Sequence, residues 1–380
     1  MTADGASSYP REGLGAEVGN RRSAHGRLDH PGTTQRLPLS SSSSPPLSPP
    51  LPPPPRLPSL PQLLIASPCR VPSGSRSSET CTITGNWKKT RKLFIFYRQI
   101  WYSSQACDFG NENVELVRSI SSLKFPKAAI LGNHDCWTTQ KFSEKKTDRV
   151  HLQLECFGDE HVGYRRLDFP MLKLCVLGGR PFSCGGDGLF RPKLLSSRYG
   201  VNDMEQSAKK IYEAALGTPE GHSVIFLAHN GPTGLGSKVS DICGRDWVFG
   251  GGDYGDPDLA QAISDLQRDT QIPIPLVVFG HMHKALAYGN GLRKMIAVGV
   301  DNTIYLNAAI VPRVKHIVVN GSGSSMEEQN QFQTSENGTI RAFTVVEFLD
   351  GQMEKIVETW VLVTGEKIEL DHENILFQKQ

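Results

Sequence analysis

Residues 127–135 read Lys-Ala-Ala-Ile-Leu-Gly-Asn-His-Asp, a short apolar run that stops at a glycine and hands over to an amide, an imidazole and a carboxylate. The run from Lys127 to Leu131 has the length and composition of a buried strand, and Gly132 ends it. The same handover recurs twice downstream. Ser223-Val-Ile-Phe-Leu-Ala228 runs into His229-Asn230-Gly231-Pro232, and Pro275-Leu-Val-Val-Phe279 runs into Gly280-His281-Met282-His283. Unbroken apolar strands of this kind are covered on both faces, as in α/β sheets. Ligand sites in such sheets lie outside the carboxyl ends of the strands, so three polar strand ends in one sheet should converge.

The segments between these strands fit the same class. Asn113 stands before Val114, Val117, Ile120 and Leu123, an i, i+3 series with Asn as N-cap, and predicts a helix. Lys173-Leu-Cys-Val-Leu-Gly-Gly179 reads as a further strand, and Met204 to Leu216 as a helix. Asp256-Pro257 opens another helix through Leu259, Ile263 and Leu266, with Asp as cap and Pro at the first helical position. Near the end, Ile340 to Leu349 and Met353 to Val363 alternate as paired strands joined by the turn Asp350-Gly351. Alternating strands and helices followed by added strands predict an α/β domain with at least one large sheet.

The first third of the chain is of another kind. Of the 25 prolines among 380 residues, fifteen precede residue 81, and the first lysine is Lys88. From Pro31 to Ser78 there is no acidic residue, while Ser40 to Ser44 and Pro52 to Pro55 are homopolymer runs. Such a stretch buries too little apolar surface to offset its ordering entropy, so residues 1–85 are expected to be a disordered tail. Serine-rich, arginine-bearing and acid-poor composition also describes organelle transit peptides; the other reading is a Pro-rich linker. Residues 86–107 form an atypical segment in which Leu93 to Tyr97 has the makings of a strand. The formal charge of +2 advertises no basic surface for nucleic acid. No run approaches the roughly 18 apolar residues of a membrane span. The eight cysteines contain no C-x-x-C pair, which speaks against a zinc ribbon or a disulfide scaffold and for reduced thiols inside a cell.

A single His at a strand end is more often a capped or surface residue than a ligand, and Gly132-Asn-His-Asp135 could be a turn. Together the strand ends offer oxygen and imidazole donors suited to Mn, Fe or Zn. In that order they resemble the calcineurin-like metallophosphoesterase family, whose signature runs D-x-H, G-D-x-x-N/D, G-N-H-D/E, a lone His and G-H-x-H. This chain has the last three as Gly132 to Asp135, His229 and Gly280 to His283, and part of the second as Asp108-Phe-Gly-Asn111. The branch it looks most like is that of cyanobacteria and plant plastids, which suits a transit-like N-terminus; otherwise the expected location is cytoplasmic.

The resemblance implies a four-layer αββα sandwich over residues 108–370 and two divalent metal ions, from Mn, Fe, Zn or Mg. By it, Asp108 bridges the metals, Asn133, His229 and His281 complete one site, and His283 belongs to the other. His134 stands beside the phosphoryl group as the catalytic imidazole, with Asp135 orienting it. The implied reaction is hydrolysis of a small phosphorylated substrate by metal-activated water. The first motif is absent: no D-x-H occurs upstream of Asp108, and Asp159-Glu160-His161 has the spacing but follows the third motif, where it reads as a polar loop. The His283 site thereby lacks two ligands, the N-terminal strand region is incomplete, and the sheet is expected to lose a central strand. Impaired activity follows as an expectation, with a non-catalytic binding or regulatory protein as the alternative and a nuclease as a third reading. Gly250-Gly251-Gly252-Asp253 lacks the features of a phosphate loop and reads as a loop near the site in contact with substrate. The kinase-like Asp108-Phe-Gly110 has no accompanying motif and is coincidental.

Overall fold

The computed structural model describes residues 81–86, 92–97, 110–143, 148–287, 291–317, 338–349, 352–365 and 367–379. In chain order its elements are β1 (Cys81–Asn86), β2 (Lys92–Tyr97), α1 (Val114–Ser121), β3 (Lys127–Ile130), α2 (Arg149–Phe157), β4 (Arg166–Phe169), β5 (Leu174–Gly178), α3 (Pro192–Tyr199) and α4 (Met204–Ala215). There follow β6 (Ser223–Leu227), α5 (Pro257–Asp269), β7 (Leu276–Phe279), β8 (Ile296–Val298), β9 (Ile304–Asn307), β10 (Val314–His316), β11 (Thr339–Leu349), β12 (Gln352–Thr364) and β13 (Lys367–Gln378). Most of the expected tail 1–85, and Asp108 itself, lie outside the described residues.

Local signals account for the helices that position the site. Asn113 Oδ1 accepts the Leu116 amide at 3.2 Å, and α1 turns Val114, Leu116, Val117 and Ile120 inward. Asp203 caps α4 by accepting the Gln206 amide at 2.7 Å. Asp256 precedes Pro257 as expected yet makes no cap bond, because its carboxylate is drawn into a buried ion pair described below.

Two sheets are present. One is mixed and six-stranded, in the order β4-β5-β6-β7-β9-β8, with β5, β6, β7 and β9 parallel and both edges antiparallel. Its one face meets residues of all five α-helices in a core that includes Leu154, Leu194, Ile211, Phe226, Leu259 and Phe279. Its other face, through Val176, Ile225, Leu227, Val278 and Leu306, packs on Ile130, Val346, Phe348 and Ile356 of the second sheet. Coverage on both faces is why β5, β6 and β7 read as unbroken apolar runs. The described residues thus form three layers, helices on sheet on sheet. The fourth layer of an αββα sandwich is not among them, since all five α-helices share one core.

The second sheet runs β13-β12-β11-β2-β1-β3, with β10 paired to β11. Two expectations are corrected here. The strand before Gly132 does not lie in the same sheet as the other two ligand-bearing strands: β3 pairs antiparallel with β1. Nor is a gap left where a central strand was expected to be lost: β1 and β2 form an antiparallel hairpin between β11 and β3, with Ile83 opposite Ala128 and Ile95 opposite Thr344, and β3 is the edge of the sheet. Unpaired strand amides are costly, and the hairpin pairs one side of β3 even though the opening motif is missing. The expected strand Leu93 to Tyr97 lies within β2.

A bridged stretch, residues 161–163, connects the sheets. Val162 N donates to Ala129 O at 2.9 Å, and Gly163 bridges Gly178. His161 is buried there, and its Nε2 accepts the Leu131 amide at 3.3 Å. It is the last residue of the Asp159-Glu160-His161 triplet, whose Asp159 faces outward and pairs with Arg165. The triplet is structural, but its histidine is a core wedge rather than part of a polar loop.

Burial pushes the His161 imidazole down from 6.5 to about 3. The unfolded chain therefore takes up this proton first, and stability present at pH 7 is lost as pH falls below about 6.5, by about 1.4 kcal/mol per unit until the folded value is reached. Urea unfolding at pH 7, 6 and 5 should show this slope, and His161→Gln should make it shallower by about one proton; an unchanged slope would refute the assignment.

Candidate metal centre

The parallel register of the six-stranded sheet sets the strand ends side by side. Gly178 of β5 stands opposite Leu227 of β6, and Leu227 opposite Val278 of β7. The ladder continues past the strands through Ala228 N to Val278 O at 2.9 Å and Gly280 N to His229 O at 3.0 Å. His229 and His281 therefore emerge on adjacent strand ends. On the other side, Phe182 N donates to Leu131 O at 2.8 Å, which holds the end of β3 against the segment leaving β5.

Three of the sequence-derived residues meet at a point. His229 Nε2 lies 2.9 Å from Asn133 Oδ1 and 3.2 Å from His281 Nδ1. Donors that share one first-row ion at about 2.0–2.2 Å stand about 3 Å from one another, so this spacing is that of a coordination polyhedron's edge. Burial, and the neighbouring His281 and His134, push the His229 imidazole well below its usual range. His281 is pushed to about 3 by burial first and by the charges of His283 and His134 next. Neutral imidazoles are the form that ligates. The donor set, two nitrogens and an amide oxygen, suits a divalent first-row metal. Among the described residues there is no cluster of three or more His, Cys, Asp or Glu at metal-binding spacing, so the convergent set depends on the Asn133 amide.

His281 adopts φ +64°, left-handed backbone that a β-branched or bulky residue rarely takes. The turn is held on both sides: Asn307 Nδ2 donates to Met282 O at 2.6 Å, and Arg293 Nε donates to His283 O at 2.9 Å. Asn307 and Arg293 are buried, and neither is signalled by the motif spacing.

His134 stands next to this point. Its Nδ1 is 2.9 Å from Asn111 Oδ1, and its ring stacks on Trp137 at 4.4 Å and 8°. Burial first, then the His283 charge, push it down to about 4. Asp135 is fully buried and its Oδ2 accepts the Gly132 amide at 2.8 Å, closing the turn that presents Asn133 and His134. Gln153 Nε2 donates to Asp135 O at 2.8 Å and ties the turn to α2. Asn111 belongs to the partial second motif, and its contact with His134 is not signalled by the motif spacing.

Beneath the His229 loop lies a buried ion-pair cluster. Arg180 Nη2 donates to Asp256 at 2.8 Å and Nε to Asp258 at 2.9 Å, with all three side chains almost wholly buried. Ser183 Oγ donates to Asp256 at 2.5 Å, and Ser207 Oγ donates to Asp258. Burial pushes the Asp256 carboxyl up to about 7 against the pull of Arg180, with the Asp258 charge adding to the rise. The backbone of Asp256 binds the loop after His229: its N–H donates to Gly231 O at 2.7 Å, and its carbonyl accepts Thr233 N–H at 3.2 Å. Removing the guanidinium strands two carboxylates without water. Arg180→Met should therefore lower stability by about 3–5 kcal/mol in urea unfolding; a loss under 1 kcal/mol would show that the cluster is not coupled to folding.

Compared with curated proteins, the chain finds no match. Residues 102–285, a little under half of the chain, match the family model of the calcineurin-like phosphoesterases.

Proposed function

We propose that the chain is a metal-dependent hydrolase of phosphate esters with one well-formed metal site and a second, incomplete one. Phosphoesterase chemistry and a phosphorylated substrate are implied by the domain. The observation that carries the reading is the approach of Asn133 Oδ1, His229 Nε2 and His281 Nδ1 within 2.9 and 3.2 Å. Asp108, which lies outside the described residues, and His283 would help hold a second ion. Bound there, divalent ions polarise phosphoryl oxygens and supply activated water.

The chain's own residues do the rest. Asn133, His229 and His281 hold three donors in place without needing to move. Asn111 fixes the His134 ring at Nδ1, so that Nε2 is the nitrogen to meet the leaving oxygen. Asp135 supports the turn beneath both, and through it the orientation of His134. The absent D-x-H takes away two ligands of the His283 site, and slow turnover is the expected result. The four-layer sandwich and a plastid address for the Ser/Pro-rich N-terminal segment belong to the same proposal. Among the described residues no helix is long and apolar enough to cross a membrane. The absent D-x-H motif favours, as second reading, a binding or regulatory protein that keeps one metal.

Elemental analysis after dialysis against manganese and then metal-free buffer should find about one ion per chain. Asn133→Ala or His229→Ala should weaken manganese binding by at least about 100-fold in calorimetry, the upper end of what losing even an outer-shell partner costs. Loss of neither ion nor affinity would place the metal elsewhere.

Hydrolysis of 4-nitrophenyl phosphate and its bis-ester should be measurable with manganese and should fall by about 10²–10⁴ in His134→Ala. Grafting an upstream D-x-H strand should raise both metal content and turnover. Retained metal with no hydrolysis, before and after the graft, would favour the binding protein.

A further inference from the structure

The loop 243–254 is built as an arm on the margin of the metal centre. Its two limbs pair at the base: Gly244 bridges Asp253, Tyr254 N donates to Cys243 O at 3.1 Å, and Arg245 N donates to Gly252 O at 2.8 Å. Its far end carries Trp247, Val248 and Phe249, followed by Gly250, Gly251 and Gly252, all three with positive φ. The three apolar residues are 39%, 42% and 105% exposed. Single exposed apolar residues are ordinary; three in succession on a pinned arm beside a site are not.

The arm is fixed to the residues that carry the metal donors. Asn230, next to His229, donates Nδ2 to Tyr254 O at 2.7 Å. The Tyr254 ring lies over Gly185 and Gly186 so closely that a Cβ on Gly186 would come within 3.1 Å of it, and the Cys184 backbone just before them bonds the His281 ring. Trp247 meets Tyr254 edge to face at 5.0 Å and 89°. From the other side, the buried Arg293 guanidinium joins the arm to the H-x-H turn. While Nε holds His283 O, Nη1 binds the carbonyls of Val239, Asp241 and Gly244 at 3.1, 2.9 and 2.5 Å, and Nη2 pairs with Asp246 at 3.2 Å. A buried arginine that satisfies four carbonyls and a carboxylate between two loops leaves the arm little freedom to drift from the site.

We propose that this arm is the specificity element of the site and that the ester it selects has a planar aromatic leaving group, received by Trp247 and Phe249. The inference rests on the phosphoesterase reading above and names the substrate class for that same centre. Trp247 is held by Tyr254 at one edge, which leaves an indole of fixed tilt to meet an arriving ring, while Phe249 supplies a second apolar surface at the tip. The glycines that follow give the tip the backbone latitude to close on rings of different size. Any apolar leaving group would gain from covering this surface, but a planar aryl group covers more of it and adds ring-to-ring stacking that an alkyl group lacks. Apolar lining with a few fixed polar groups is the ordinary form of a small-molecule pocket.

Phenylphosphonate and methylphosphonate, which cannot be hydrolysed, separate the ring from the phosphoryl group. Titrated calorimetrically into the full chain with manganese present, the phenyl compound should bind roughly tenfold more tightly, the size of one aromatic contact. Binding should quench tryptophan fluorescence. Trp247→Ala and Phe249→Ser should each reduce the affinity ratio several-fold, and the double variant should bring it near one. A ratio near one in the unmodified chain, or a ratio that survives the double variant, overturns the inference while leaving the phosphoesterase reading intact. Failure of both phosphonates to bind overturns that reading and this inference with it.

Discussion

One backbone hydrogen bond, Gly280 N–H to His229 C=O at 3.0 Å, is the point on which the rest of the centre depends. It prolongs the parallel ladder of β6 and β7 by one step beyond the strands, and so brings two histidines 52 positions apart in the chain to 3.2 Å. The ladder itself is held by burial. Ile225, Leu227, Leu276 and Val278 face the second sheet, while Val224, Phe226, Val277 and Phe279 face the helices, and all are within 1% of full burial. Fully burying each such side chain is worth about 1.5–3 kcal/mol. A slip of one residue would exchange the two faces and move both histidines, so the core fixes the register and the register fixes the donor geometry.

The third residue of the candidate metal set arrives from a different sheet. Asn133 follows β3, whose partner is the β1–β2 hairpin, and it reaches His229 because Phe182 and Val162 bind the backbone of Leu131 and Ala129. The centre therefore sits across a seam between two sheets rather than inside one. Seams of this kind hold sites well, since each side is stiffened by its own core and the polar groups at the gap are shared. His161 lies in the seam as a neutral acceptor, which joins the two halves without carrying charge into the core.

The polar interior is organised around two arginines with different tasks. Arg180 is bound by two carboxylates and holds the loop after His229 from below; Arg293 is bound mainly by carbonyls and joins the H-x-H turn to the aromatic arm. A buried pair like Arg180 with Asp256 and Asp258 adds little net stability over an apolar core, but it is expensive to break. Its effect is to give the loop one allowed position. Loops without such clamps move, and a metal donor that moves loses affinity.

Much of this was legible in the amino-acid sequence. Period and capping identified α1, α4, α5 and the strands β3, β5, β6, β7, β11 and β12, and the motif order picked out Asn133, His134, Asp135, His229, His281 and His283. These are local or composition-borne signals, so the chain carries them without folding. What only the tertiary structure decided depends on residues far apart in sequence. That β3 pairs with a hairpin, that Asp256 abandons its cap for Arg180, that Asn111 meets His134 and that Arg293 grips His283 are all outcomes of packing. A side chain's hydrogen-bond partner is chosen by which groups burial leaves without water, and no periodicity in the chain records that choice.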